Sequence, residues 1–217
     1  MPDGRRLHLL LEGQTEETIV RDVLGPYLTD SGWYVDFSIV KTKRPAAGPA
    51  HCGGITSWQQ VERDVRLLLR DTSIDVLATL IDYYGFPNAA PGMSDRPNSD
   101  APTRAAHVEQ ALRAAIGDSR FRPHLVLHEI EAWVFAAATE LGECFGDGQL
   151  AERLIHDVKV AGGPELVNDG METAPSKRLL RYWPTYVKTM DGPIAELGVS
   201  KLRAQCPHLD AWLTRLA

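Results

Sequence analysis

Two short apolar runs in this chain stop on an acid. Leu7-His8-Leu9-Leu10-Leu11 ends at Glu12-Gly13, and Val76-Leu77-Ala78-Thr79-Leu80-Ile81 ends at Asp82, with Gly85 just beyond. Short apolar runs of this kind predict strands covered on both faces. After the first run, Ile19, Val20, Val23 and Leu24 recur at helical spacing. They predict a helix over 15–27, capped by Thr15, with Glu16 and Glu17 in the first turn and a stop or bend at Gly25-Pro26. Alternation of Val35, Phe37 and Ile39 predicts a strand over 33–40. Trp58, Val61, Val65, Leu68 and Leu69 predict a helix over 55–70.

Further on, the pattern predicts a helix over 103–116, a strand over 124–127 and a helix over 128–138. Two stretches carry no period. Residues 41–54 turn from basic to Pro-, Ala- and Gly-rich, and 84–102 contain Pro87, Pro91, Gly92, Pro97 and Pro102. Surface loops are expected there, either functional lids or disordered segments. Strand and helix thus alternate, which implies an α/β domain with a largely parallel sheet flanked by helices. Beyond about Gly142 the strand pattern ends. Helical segments follow, broken by Gly162-Gly163-Pro164 and Asp191-Gly192-Pro193. The expected organisation is an α/β domain over 1–141 and a helical annex over 142–217.

Composition narrows the function. With 217 residues, 44% apolar and 24% charged, the chain can bury a sizeable core. Its formal net charge of -6 excludes a protein-wide basic surface, though not a local basic groove. Cys52, Cys144 and Cys206 are odd in number, as expected of reduced thiols in a cytoplasmic protein. Cys52 beside His51 and Cys206 near His208 match no usual zinc spacing. No stretch reads as a secretory leader or a membrane span, so no membrane association is expected. The phosphate loop of Walker type, Gly-x-Gly-x-x-Gly and Gly-x-Ser-x-Gly are all absent from the sequence.

The candidate chemistry gathers at strand ends. Ligands of open α/β sheets bind outside the carboxyl ends of the strands. Acids clustered there are costly unless a cation neutralises them, and oxygen ligands suit a divalent metal. Glu12 and Asp82 therefore read as a shared metal site. The alternatives are a helix-dipole acid for Glu12 and a turn cap for Asp82. His128-Glu129-Ile130-Glu131 follows the 124–127 strand as a third acidic cluster. On a helix, Glu129 and Glu131 point to different sides, so one of them is the better partner for Glu12 and Asp82. Lys41, Lys43 and Arg44 form one basic patch, and Lys177 and Arg178 another, followed by Lys188, Lys201 and Arg203. They read as phosphate contacts or as a solvated surface. Tyr182, Trp183 and Tyr186, lying among these charges, read as base-stacking groups or as annex packing.

Four ordered motifs carry a resemblance: Glu12-Gly13-Gln14-Thr15-Glu16, Asp82-Tyr83-Tyr84-Gly85, His128-Glu129-Ile130-Glu131-Ala132 and Thr173-Ala174-Pro175-Ser176-Lys177-Arg178. The stretch 194–212, with Cys206-Pro207 before Trp212, fits as well. Together they resemble an uncharacterised bacterial family, domain of unknown function 4276. That family is similar to TOPRIM-fold proteins, including nucleases of the OLD type. The resemblance implies a Rossmann-like sheet with a Mg²⁺ (or Mn²⁺) site, and relatives that work beside ATPases in anti-phage defence. In the TOPRIM pattern a strand-end Glu followed by Gly acts with a later Asp-x-Asp. Glu12 matches the first element and Asp82 the first Asp. Tyr84 stands where the second Asp is expected, and Glu131 resembles a downstream acid that takes its place.

The leading expectation is a Mg²⁺-dependent phosphodiesterase acting on nucleic acid. Glu12, Asp82 and Glu131 would hold the metal, with Glu129 as a second ligand or base, and Lys177 and Arg178 would meet the phosphates. The rival is a non-catalytic TOPRIM-like module that binds a partner ATPase, a nucleotide or nucleic acid. A small-molecule phosphohydrolase is a third reading. Homodimerisation is expected only by analogy with TOPRIM relatives.

Overall fold

The computed structural model describes residues 4–40, 55–167, 173–187 and 192–216. The chain opens with β1 (Arg5–Leu11), α1 (Gln14–Ile19), a π-helical segment over Val20–Leu24, α2 (Gly25–Asp30) and β2 (Trp33–Ile39). There follow α3 (Trp58–Leu68), β3 (Val76–Asp82), α4 (Ala101–Ile116), β4 (Phe121–Arg122) and β5 (Leu125–Val126). The remainder is helical: α5 (Glu131–Ala136), α6 (Ala138–Phe145), α7 (Gly148–Ala161), a 3₁₀ turn over Pro164–Leu166, α8 (Pro175–Tyr182), α9 (Gly192–Leu197), α10 (Val199–Gln205) and α11 (Pro207–Leu216). Among the described residues no helix is long and apolar enough to cross a membrane.

Contacts divide the chain into two compact units. One comprises Met1–Glu17 and Leu28–Leu125, the other Thr18–Tyr27 and Val126–Ala217.

The first unit holds the sheet. Its strand order is β2-β1-β3-β4, with β5 also paired to β3, and β1–β2, β1–β3 and β3–β4 are all parallel. The sheet is Rossmann-like, as the alternating pattern implied. Leu7, Leu9, Leu10 and Leu11 of β1 are all buried, as are Val76, Leu77, Ala78, Leu80 and Ile81 of β3. Burial of successive residues on opposite faces explains why these strands read as apolar runs without alternation. β2, at the edge, is mostly half-exposed.

Three local expectations change. The helix expected over 15–27, with a stop or bend at Gly25-Pro26, is distorted there but does not stop. Gly25 N–H bonds Val20 O, an i→i−5 bond, and a Cβ on Gly25 would lie 2.6 Å from that oxygen. The widened turn accommodates Pro26, which cannot donate to the ladder, and α2 continues to Asp30. The 84–102 loop has no regular structure until Ala101, but Phe86, Ala90 and Met93 are buried, so much of it is packed rather than a free lid. The helix expected from 128 begins at Glu131 instead, because His128 adopts a positive φ of 62°.

Candidate functional site

The connections from β1 run outward to β2 and then back across to β3. The β1/β3 boundary is therefore the topological switch point, where open α/β sheets place their ligands. Leu11 is in register with Leu80. Glu12 N–H donates to Leu80 O at 3.2 Å, which extends the pairing one residue past β1. The Glu12 side chain then turns over the end of β3, where its Oε2 accepts Asp82 N–H at 3.1 Å. The structure thus brings Glu12 and Asp82 together, both half-buried, at the carboxyl ends of adjacent parallel strands.

The turn beneath is fixed by a third acid. Buried Glu16, in the first turn of α1, accepts Gly13 N–H at 2.8 Å and so pins the strand-to-helix turn. After Asp82, Tyr83 is buried, and its hydroxyl accepts a hydrogen bond from Arg96 Nη1 at 3.0 Å. Arg96 Nε is held in turn by Met93 O at 2.8 Å. Tyr84 is half-buried, and Gly85, at φ 79°, turns the chain away.

The second unit carries the other candidate residues. Glu129 accepts Ser176 N–H at 2.9 Å, so its carboxylate caps the first turn of α8. Glu131 is buried in the first turn of α5. Tyr186 is buried close to both acids. Burial first, then the charges of Glu131 and Glu129, push its hydroxyl well above the usual tyrosine range. Lys177 is exposed. Arg178 is committed inward: Nη1 lies 2.9 Å from Asp157 Oδ2 and Nε donates to Thr173 O at 3.1 Å. Lys41, Lys43 and Arg44 lie outside the described residues, as do Lys188, His51 and Cys52. Cys206 is buried, and burial followed by the nearby Glu165 charge raises its thiol pKa, which suits a packed thiol rather than a reactive one.

One polar group escaped the sequence reading. Glu109 on α4 is buried; its Oε1 accepts Leu125 N–H at 2.9 Å and lies 3.3 Å from Nδ1 of buried His124. The His124 backbone is locked by Thr79, whose hydroxyl accepts His124 N–H at 2.9 Å and donates to His124 O at 2.8 Å. The available signal was spacing: Glu109 falls on the same α4 stripe as Ala105, Val108, Leu112 and Ile116.

Residues 11–217 match the family model described as Domain of unknown function (DUF4276). No curated protein and no solved structure matches the chain.

Proposed function

The chain belongs to the DUF4276 family, and on that premise we propose that it is a divalent-metal-dependent, TOPRIM-like phosphodiesterase acting on nucleic acid. The supporting observation is the pairing of Glu12 with Asp82 at the β1/β3 switch point. The donor set there is carboxylate oxygen, which fits Mg²⁺ or Mn²⁺ and no thiophilic metal. Such an ion, when bound, supplies Lewis-acid activation of a phosphate and of water. Glu12 and Asp82 would hold it. The Asp82 N–H fixes the Glu12 carboxylate so that it meets an ion already oriented. Arg96, anchored by Tyr83 and Met93 in the loop that leaves β3, is a positioned cation in the same unit. Work beside an ATPase in phage defence, and a homodimeric state, belong to this same reading and rest on the family resemblance. The test is cleavage of single-stranded DNA, duplex DNA and RNA with Mg²⁺, Mn²⁺ or chelator, by wild type and Asp82→Ala. Metal-dependent cleavage that disappears in the variant is expected.

Tyr84 favours a second reading. It occupies the position where a second metal-binding Asp would stand, and a phenol is a poor Mg²⁺ ligand. A non-catalytic module that binds a partner would keep the fold without the ion. Folded wild type that neither cleaves nor responds to metal would select it.

A further inference from the structure

In the second unit, α7 and α8 are joined through one acid. Asp157 on α7 accepts the Tyr182 hydroxyl at 2.9 Å and pairs with Arg178 at 2.9 Å, both from α8. The two contacts neutralise Asp157 and fix the Tyr182 ring. Beside that ring lies an open cleft of about 350 Å³, lined by Gln149, Glu152, Arg153, His156 and Tyr182. The Arg153 guanidinium stands 5.9 Å from the Tyr182 ring centroid. Arg181 acts on the Tyr182 hydroxyl from the preceding position of α8, and Lys177 precedes Arg181 by one helical turn. Arg153, Lys177 and Arg181 are exposed, and α8 contains no acid.

We propose that this α7/α8 cleft is a binding site for single-stranded nucleic acid, in which a base stacks on Tyr182 and the flanking phosphates meet Arg153, Arg181 and Lys177. The inference deepens the nucleic-acid reading above and rests on it for the class of ligand. Three physical features carry it. An aromatic ring held rigid by a buried hydroxyl partner loses little entropy on stacking. Arg153 lies over the ring and Arg181 is its sequence neighbour on α8, so exposed cations stand near the stacking group in a chain whose net charge is -6. Arg178 and Asp157 satisfy each other, so Asp157 does not repel a phosphate. Among the described residues Glu152 is the one acid that lines the cleft, and its charge opposes the close approach of a second phosphate strand, as in duplex DNA.

The test is fluorescence anisotropy of a labelled thymidine or uridine oligonucleotide, in chelator so that no cleavage occurs. Wild type should bind the single strand more tightly than a duplex of the same length. Arg153→Ala with Arg181→Ala should weaken binding roughly tenfold or more and lower the salt slope by about 0.7 per lost phosphate contact. Tyr182→Phe keeps the ring but loses its Asp157 anchor and should bind less tightly than wild type, and Tyr182→Leu, which has no ring, should bind less tightly still. No binding by wild type, equal binding by the double arginine variant, or preference for duplex would each overturn the proposal. Because the assay contains no metal, it is independent of the carboxylate site. Intact binding in chelator together with no cleavage in the separate Mg²⁺ or Mn²⁺ assay would sink the phosphodiesterase reading alone, and metal-dependent cleavage that is indifferent to Arg153 and Arg181 would sink this one alone.

Discussion

The amide of Asp82 donates to the carboxylate of Glu12 across the ends of two neighbouring parallel strands, at 3.1 Å. The bond ties the two candidate metal ligands to each other before any ion arrives. A bound ion should therefore stabilise the protein by about 2.7 kcal/mol at roughly a hundredfold excess over its dissociation constant. In a protein of this size that corresponds to a rise of about 5–10 °C in Tm. Glu12→Ala and Asp82→Ala should each remove the rise in Mg²⁺ or Mn²⁺. A shift of the same size in both variants would show that the ion sits elsewhere.

Gly92 lets the 84–100 loop press against α4. It has a φ of 80°, and a Cβ there would meet the Ala111 Cβ at 2.7 Å and the Val108 Cα at 3.0 Å. Gly85 has nearly the same φ, 79°, with nothing within 4 Å. Gly85→Ala should cost about 1–3 kcal/mol for the backbone alone. Gly92→Ala should cost that plus about 1–3 kcal/mol of overpacking. Chemical denaturation measures both, and equal losses would mean that the loop is not seated on α4.

Glu109 is buried as an acceptor for the Leu125 amide. Replacing it with alanine strands that N–H away from water, at a cost of about 1–3 kcal/mol. Glu109→Gln retains an acceptor oxygen and should recover part of the loss. If alanine and glutamine proved equally harmful, the His124 interaction rather than the amide bond would dominate.

His8 contributes a pH dependence. It is buried on β1, with Nε2 2.9 Å from Ser38 Oγ, and burial lowers its pKa below the ordinary 6.5, against the opposing pull of Asp36. Below pH 6.5 the unfolded chain then binds the proton more readily than the folded one. The contribution is present above 6.5 and is lost as pH falls through the folded-state value. His8→Gln should flatten the Tm-against-pH curve on the acid side. Parallel curves for wild type and variant would disprove the assignment.

Asp157 bridges Arg178 and Tyr182, so Asp157→Ala leaves two polar groups of α8 without that acceptor. A loss of about 1–3 kcal/mol is expected. Near-UV circular dichroism should also report a freer Tyr182 ring, and an unchanged spectrum would argue that the ring is held by packing alone.

The hydrophobic pattern by itself determined the α/β class, the buried strands β1 and β3, the acids that end them and the helical character of the chain after Gly142. These follow from local chemistry, because a strand covered on both faces must be apolar throughout and the first uncovered position can carry a charge. The tertiary structure decided what the pattern does not encode. Strand order put β1 beside β3 and made Glu12 and Asp82 neighbours, since pairing is set by contacts distant in sequence. The two-residue β4 is too short to show a period. Gly25-Pro26 read as a helix stop or bend, and a π turn carries the helix through it. Arg178 looked like a free cation until Asp157, 21 residues earlier in the chain, was folded against it. Charge along a sequence records what a side chain could meet, and only the packed helices settle whether it meets solvent, substrate or its own protein.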